Sequence, residues 1–246
     1  MKQPMKWAYG ITTVPQRKSV FAKTVESLSK AGFDDPWLFV DSYTPEYNSY
    51  TDFLSYNRAF RHPQIGAYGN WLLALWELHI REPNVDRFAL FQDDITVCLG
   101  LRSYLERCPY PGQSYLNLCT YPVNQELIES MGHDSDPGWY PSNQKGKGAQ
   151  ALVFSNEAVQ QLLKQPELVE HVHTVVHRQK RNIAGAVLTA FKRIGWQEYV
   201  HYPGLVDHVG ARLNTTAHSQ PQPPITCFAG NDFNAMDFLC KKAEKN

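Results

Sequence analysis

Two adjacent carboxylates, Asp93 and Asp94, stand directly after the apolar run Phe88-Ala89-Leu90-Phe91 and Gln92. Taken out of bulk water side by side, two carboxylates lose hydration and repel each other, so such a pair needs positive charge beside it. A divalent cation supplies that charge, since hard oxygen ligands suit Mg2+ or Mn2+. A solvated turn after a strand would carry the same two residues with no such demand. A second stretch, 196–210, passes through the Tyr202-Pro203-Gly204 turn to Leu205-Val206 and then Asp207-His208. Imidazole is a good ligand for Mn2+, so His208 is placed to complete a metal site begun by Asp94. His201 and His218 are further histidines of the same part of the chain.

Two basic segments are candidates for holding an anion. Residues 171–181 gather three His and three fixed cations, among them His177, Arg178 and Arg181. A run of this kind is commonly a solvated face; beside a reaction centre it can clamp an anionic acceptor such as nucleic acid, lipid phosphate or a charged glycan. The segment Ser142-Asn143-Gln144-Lys145-Gly146-Lys147-Gly148 offers Lys145 and Lys147 to phosphate on a glycine-permitted loop. It lacks the spacing and the following Ser/Thr of a P-loop. Trp139, with Tyr140, can stack on a sugar or base, or simply anchor its loop.

The elements that must position these residues follow from hydrophobic spacing. An apolar run at 7–11, helical spacing at 20–31 closed by Gly32, and a second apolar run at 37–40 read as strand, helix, strand. Further strands are expected at 88–91, 115–119, 149–154 and 198–201, and helices at 70–80, 156–165, 183–194 and 233–239. Residues 42–63 are expected to be irregular, and residues 121–148 form a long polar segment rich in Gly and Pro. Alternating strands and helices imply a single α/β domain with a mixed, mainly parallel central sheet flanked by helices. Roughly, 1–120 would form one half and 121–240 the other. In such sheets ligands bind beyond the carboxyl ends of the strands, which is where Thr12-Thr13, Asp41-Ser42 and Gln92-Asp93-Asp94 fall.

Composition narrows the class. Lys plus Arg and Asp plus Glu number 24 each, so the formal charge is zero, which argues against binding nucleic acid or anionic membrane through bulk charge. The five cysteines form no CxxC pair, which argues against a disulfide framework or zinc knuckle. No run approaches the ~18 apolar residues of a membrane span, and no apolar leader follows the basic start, so a cytoplasmic protein is expected.

With these residues in order along the chain, the sequence resembles nucleotide-sugar glycosyltransferases of the GT-A (Rossmann-like) fold. The resemblance runs through Ile11-Thr12-Thr13-Val14-Pro15 with Arg17, Phe39-Val40-Asp41-Ser42, Gly66 to Asn70, Phe91-Gln92-Asp93-Asp94, and Lys192-Arg193-Ile194-Gly195-Trp196 on to His208. It implies a DxD-like motif that holds Mn2+ or Mg2+ against the diphosphate of a donor, a UDP-sugar first among them. It further implies Asp94 as metal ligand with Asp93 beside it, Gln92 at the ribose, and Thr12, Thr13, Pro15, Arg17, Asp41 and Asn70 around the donor. His208 resembles the late His of the metal shell. One departure stands out: where inverting members place a general-base carboxylate, this chain has Ala184. An Asp→Ala variant, a different base, or a shift of register would each account for it. The acceptor class is open, hydroxymethylated DNA bases included. A non-catalytic binding module of the same fold and a nucleotidyltransferase or metal-dependent phosphohydrolase are the alternatives.

Overall fold

The strand β4 (Arg87–Gln92) alternates its apolar side chains strictly, and that alternation sets the layers. Phe88 and Leu90 enter one core cluster, Ala89 and Phe91 the other. A computed structural model describes residues 3–42, 55–133, 136–173, 183–209 and 227–243. Around β4 lie β1 (Trp7–Thr13), β2 (Trp37–Val40), β3 (Arg58–Phe60), β6 (Ser114–Asn117), β7 (Gly138–Pro141), β8 (Ala151–Ser155) and β9 (Gln197–Tyr202). They form one eight-stranded sheet in the order β3-β2-β1-β4-β8-β6-β9-β7. The pairings make β8 and β7 antiparallel to their neighbours and leave the other six strands pointing one way.

Helices cover both faces. On one side α1 (Lys18–Lys30), α3 (Leu101–Arg107) and α8 (Asp237–Ala243) supply Phe21, Leu28, Tyr104, Leu105 and Phe238 to the core. On the other, α2 (Gly66–Arg81), α5 (Asn156–Leu163), α6 (Pro166–His173) and α7 (Ile183–Arg193) supply Trp71, Leu75, Val159, Leu168 and Val187. The architecture is the mixed α/β sheet flanked by helices that the periodicity implies. Among the described residues no helix is long and apolar enough to cross a membrane. Gly10 shows how tightly β1 is packed: a Cβ there would lie 2.5 Å from the Phe39 ring and 2.8 Å from the Trp37 carbonyl oxygen.

Within 42–63, read as irregular, the described residues include the short edge strand β3, and the polar segment 121–148 holds α4 (Pro122–Ser130) and β7. Pro122 opens α4 where a missing N–H does no harm, and Ile128 is buried. Trp139 and Tyr140 pair with His201 and Val200 at the sheet edge.

The register delivers the site. Thr13 lies beside Val40 and Thr12 beside Gln92, so the ends of β1, β2 and β4 reach one edge of the sheet. Beyond β4 the chain turns into β5 (Ile95–Val97), which pairs antiparallel with β10 (Val206–His208), placing His208 opposite Ile95. Thr24, fully buried on α1, fastens this turn. Its hydroxyl accepts from the Ile95 N–H at 3.0 Å and lies 2.9 and 2.8 Å from the carbonyl oxygens of Asp93 and Ile95.

A second buried polar network orders the 142–148 loop. Glu198 on β9 accepts from Tyr115 Oη and Asn117 Nδ2, each at 3.0 Å. The same Asn117 amide lies 3.0 and 2.8 Å from the Lys147 and Gly148 carbonyl oxygens, and Gln144 Nε2 donates to the Glu198 carbonyl. Gly146, at φ +63°, presses on α7: a Cβ there would fall 2.8 Å from Gly185 Cα and 2.9 Å from the Ala184 carbonyl oxygen.

Thr24→Val keeps the shape and removes the hydroxyl, leaving the Ile95 N–H unsatisfied. Such a loss costs about 1–3 kcal/mol, so a fall in melting temperature of roughly 3–10 °C is expected. An unchanged melting curve would show that Thr24 is not the fastener. Burial raises the Glu198 carboxyl above its ordinary range, partly offset by hydrogen bonds from Ser142, Asn117 and Tyr115. Its contribution to stability is therefore whole below the unfolded carboxyl value and is lost as pH rises toward the folded one. Denaturant midpoints of Glu198→Gln and the parent should converge near about pH 4 and separate in favour of the variant above it. A variant that loses ground as pH rises would contradict this.

Candidate functional site

Three segments distant in sequence meet at the end of β4. Thr13, the last residue of β1, donates its hydroxyl to Asp93 Oδ2 at 2.7 Å. Arg17, from the short 3-10 turn Pro15–Arg17 that follows β1, brings Nη1 to 2.8 Å from Asp93 Oδ1 and 3.1 Å from Asp94 Oδ2. From β10, His208 Nε2 reaches Asp94 Oδ2 at 3.1 Å. Asp93 and Asp94 are 2% and 1% exposed, so both carboxylates are out of bulk water. Arg17 retains 22% of its side-chain surface, leaving it at the mouth of the site.

The electrostatics follow from that burial. Desolvation pushes the Asp93 carboxyl above its ordinary value and Asp94 adds to this, while Arg17 and the Thr13 hydroxyl pull it back. Arg17 itself loses hydration, yet the two carboxylates outweigh that loss and hold the guanidinium above its ordinary value. Among the described residues, Asp94 Oδ1 and His208 Nδ1 are buried without a hydrogen-bond partner. The pair thus keeps acceptor and ligand capacity that the protein does not use.

The neighbouring strand end contributes Asp41, 1% exposed. Its Oδ1 accepts from the Ile65 N–H at 2.8 Å, and its Oδ2 is buried without a partner among the described residues. Thr12 and Gln92 face each other across β1 and β4, both half-buried, and Pro15 is buried at the start of the turn. Asn70 is engaged at both ends of its amide: Nδ2 donates to the Phe39 carbonyl at 2.8 Å and Oδ1 accepts from Arg61 Nε at 3.0 Å. That is the environment of a packing amide between α2 and β2.

In the second half, Ala184 is 3% exposed in the first turn of α7 and belongs to the apolar cluster with Ile183 and Val187. Gly146 rests against it. Trp139 packs edge-on against the His201 ring, with centroids 5.0 Å apart, rather than standing free as a stacking platform. Lys145 and Lys147 are exposed on the ordered 142–148 loop. His177, Arg178 and Arg181 lie outside the described residues.

Sequence reading missed Thr24, which looks like one more polar residue of an amphipathic helix. It also missed Glu198, whose signal is its place between Trp196 and Val200 on the inward side of a strand. Asp41, Asp93, Asp94, Arg17 and His208 were legible, but not the manner in which Arg17 spans both carboxylates.

Among the described residues no group of three or more His, Cys, Asp or Glu is gathered as for a metal, so Asp94 and His208 stand as a pair. No family model matches the chain, and no curated protein matches it either. Solved structures do. The crystal structure of GalNAc-T7 with UDP, GalNAc and Mn2+ superposes with a TM-score of 0.54 at 9% identity, covering 81% of this chain and 43% of that one. A nucleotidyl transferase from Methanothermobacter thermautotroptrophicus gives a TM-score of 0.49 at 12% identity over 98% and 99% of the two chains. A nucleoside-diphosphate-sugar pyrophosphorylase from Vibrio cholerae gives 0.43 at 9% identity over 83% and 95%. The chain thus spans less than half of the GalNAc-T7 chain it matches, and what it shares with that protein is a GT-A-like α/β fold.

Proposed function

We propose that this chain is a glycosyltransferase that moves a sugar from a nucleotide-sugar, a UDP-sugar first among candidates, to an acceptor hydroxyl. The observation that supports it is the meeting of Thr13, Arg17 and His208 on Asp93-Asp94 at the carboxyl end of β4. Strand ends of this kind are where α/β sheets bind nucleotides.

The residues fit a divalent cation. Asp94 presents a buried, unpartnered Oδ1, and its Oδ2 lies beside His208 Nε2. Carboxylate and imidazole suit Mn2+, and Mg2+ also favours one or two carboxylates with the remaining positions left to phosphate and water. Asp94 and His208 would hold the ion, which when bound neutralises charge on the departing diphosphate. Ligation through Nε2 would require the His208 proton on Nδ1, which has no hydrogen-bond acceptor among the described residues.

The chain's own groups do the rest. Arg17 offers a planar fork to phosphate oxygens. Thr13 holds Asp93 in place. Asp41 Oδ2 is a spare buried acceptor for one base or ribose donor. With Oδ1 already taken by Ile65, it suits the single N3–H of uracil better than the paired donors of guanine. Lys145 and Lys147 are the exposed cations for an anionic acceptor.

A second reading, a binding module of the same fold without catalysis, is favoured by Ala184. A carboxylate there would sit in an apolar cluster beneath Gly146, where an unpaired charge is expensive.

Thermal unfolding with UDP, GDP, CMP and ADP, each with and without Mn2+, tests the donor site without requiring catalysis. A ligand at about 100 times its Kd adds ~2.7 kcal/mol, hence a shift on the order of 5–10 °C. The expected result is a shift with UDP that depends on Mn2+ and disappears in Asp94→Asn; no shift with any nucleotide would end the donor reading. Ala184→Asp is expected to lower the melting temperature by several degrees, roughly in line with 1–3 kcal/mol for a poorly satisfied buried polar group. A fully stable Ala184→Asp protein that gained transfer would instead identify position 184 as the seat of the base.

A further inference from the structure

We propose that Arg17 is a gate on the cation site: its guanidinium neutralises the Asp93-Asp94 pair until a diphosphate draws it away, so that a divalent cation binds only together with nucleotide. The inference rests on the donor-site reading above and adds the order in which that site fills.

Arg17 Nη1 lies between the two carboxylates, 2.8 Å from Asp93 Oδ1 and 3.1 Å from Asp94 Oδ2. It therefore shares Asp94 Oδ2 with His208 Nε2, the atom that would face the ion. A cation entering here meets an arginine already within ion-pair distance of both acids. Against that competition the protein offers it one carboxylate and one imidazole, with no third His, Cys, Asp or Glu among the described residues. Such a set is too small to displace a guanidinium unaided; phosphate oxygens would have to complete it.

The same diphosphate removes the competitor. Guanidinium pairs with phosphate through two parallel hydrogen bonds, whereas here one nitrogen, Nη1, reaches both carboxylates. Arg17 sits in a three-residue turn at the mouth of the site with part of its side chain in solvent, so it can rotate without moving a strand. Its departure leaves the acids in place. Asp93 stays held by the Thr13 hydroxyl, and the turn between β4 and β5 stays fastened to Thr24. Asp94 then keeps only His208 Nε2 at Oδ2, in addition to the already unpartnered Oδ1.

The test is Mn2+ uptake, followed by the loss of the free-ion electron paramagnetic resonance signal, in the parent protein, Arg17→Met and Arg17→Lys. The parent should take up Mn2+ weakly alone and strongly with UDP. Arg17→Met should bind Mn2+ alone on the order of tenfold more tightly than the parent, since one opposing unit charge has gone, and UDP should strengthen that binding less. Arg17→Lys keeps the charge and should exclude Mn2+ as the parent does, while losing part of the coupling to UDP. Asp94→Asn in the Met background should abolish the gain, tying it to this site. Circular dichroism checks folding, and Arg17→Gln gives the same reading if the Met variant does not fold.

Equal affinity of parent and Arg17→Met for Mn2+ alone, whether strong or absent, overturns the gate; so does a Lys variant that behaves like the Met one. A parent that responds to UDP with Mn2+ but shows no gain in Arg17→Met keeps the donor reading and loses the gate. A gain in Arg17→Met with no nucleotide effect in either protein keeps a charge competition at the carboxylates and removes the donor reading, and with it the nucleotide half of the gate.

Discussion

Two carboxylates desolvated side by side at the end of one strand are the constraint around which the first half of this protein is arranged. Two unit charges about 4 Å apart interact by roughly 4 kcal/mol at the effective dielectric of a protein surface, a large fraction of the total stability of an ordinary domain. Each partner that relieves this repulsion comes from a different element: Thr13 from β1, Arg17 from the turn after it, His208 from β10. Thr24 on α1 pins the backbone between them. The parallel register of β1 with β4 and the antiparallel pairing of β5 with β10 are what bring those partners within reach.

The molecule also buries Glu198, and the contrast is instructive. Glu198 Oε1 is held by neutral donors, a phenol and an amide, fixed by the sheet on which they sit. Such a group has no reason to exchange its partners, and its effect is to order the 142–148 loop. Asp93 and Asp94 are satisfied in part by a guanidinium on a turn, which can leave. On the proposed reading the fold treats its buried acids in two ways, one held by the sheet and one answerable to a ligand.

Much of this is written plainly in the chain. The apolar runs that became β1, β2, β4 and β8 carry the alternation or continuity expected of strands, and the polar residues at their ends gave Thr13, Asp41 and Asp93-Asp94 as site candidates. The late Asp207-His208 was legible for the same reason. What was not legible is tertiary in origin. β5 and β10 are three residues each, too short to leave a periodic signal, and they exist because they pair with one another. α4 and β7 hide in a polar segment because their apolar faces are narrow and lie at the sheet's edge. Ala184 invited comparison with an acid on position alone, whereas its place in the apolar cluster under Gly146 depends on a loop that approaches from forty residues away in sequence. Asn70, whose polar type reads as a ligand contact, is buried with both ends of its amide hydrogen-bonded to Phe39 and Arg61, partners no spacing in the sequence announces.

The ribbon of β5 and β10 ties Asp94 to a histidine 114 residues further along the chain. Closing so long a loop depends on the slow search for non-local contacts. On the ribosome the amino-terminal half can lay down β1, α1 and β4 well before His208 emerges from the tunnel. During that interval the acids have Thr13 and Arg17 but not their imidazole. The newborn sheet is thus built around the Arg17 ion pair before the β5–β10 ribbon brings His208 to Asp94.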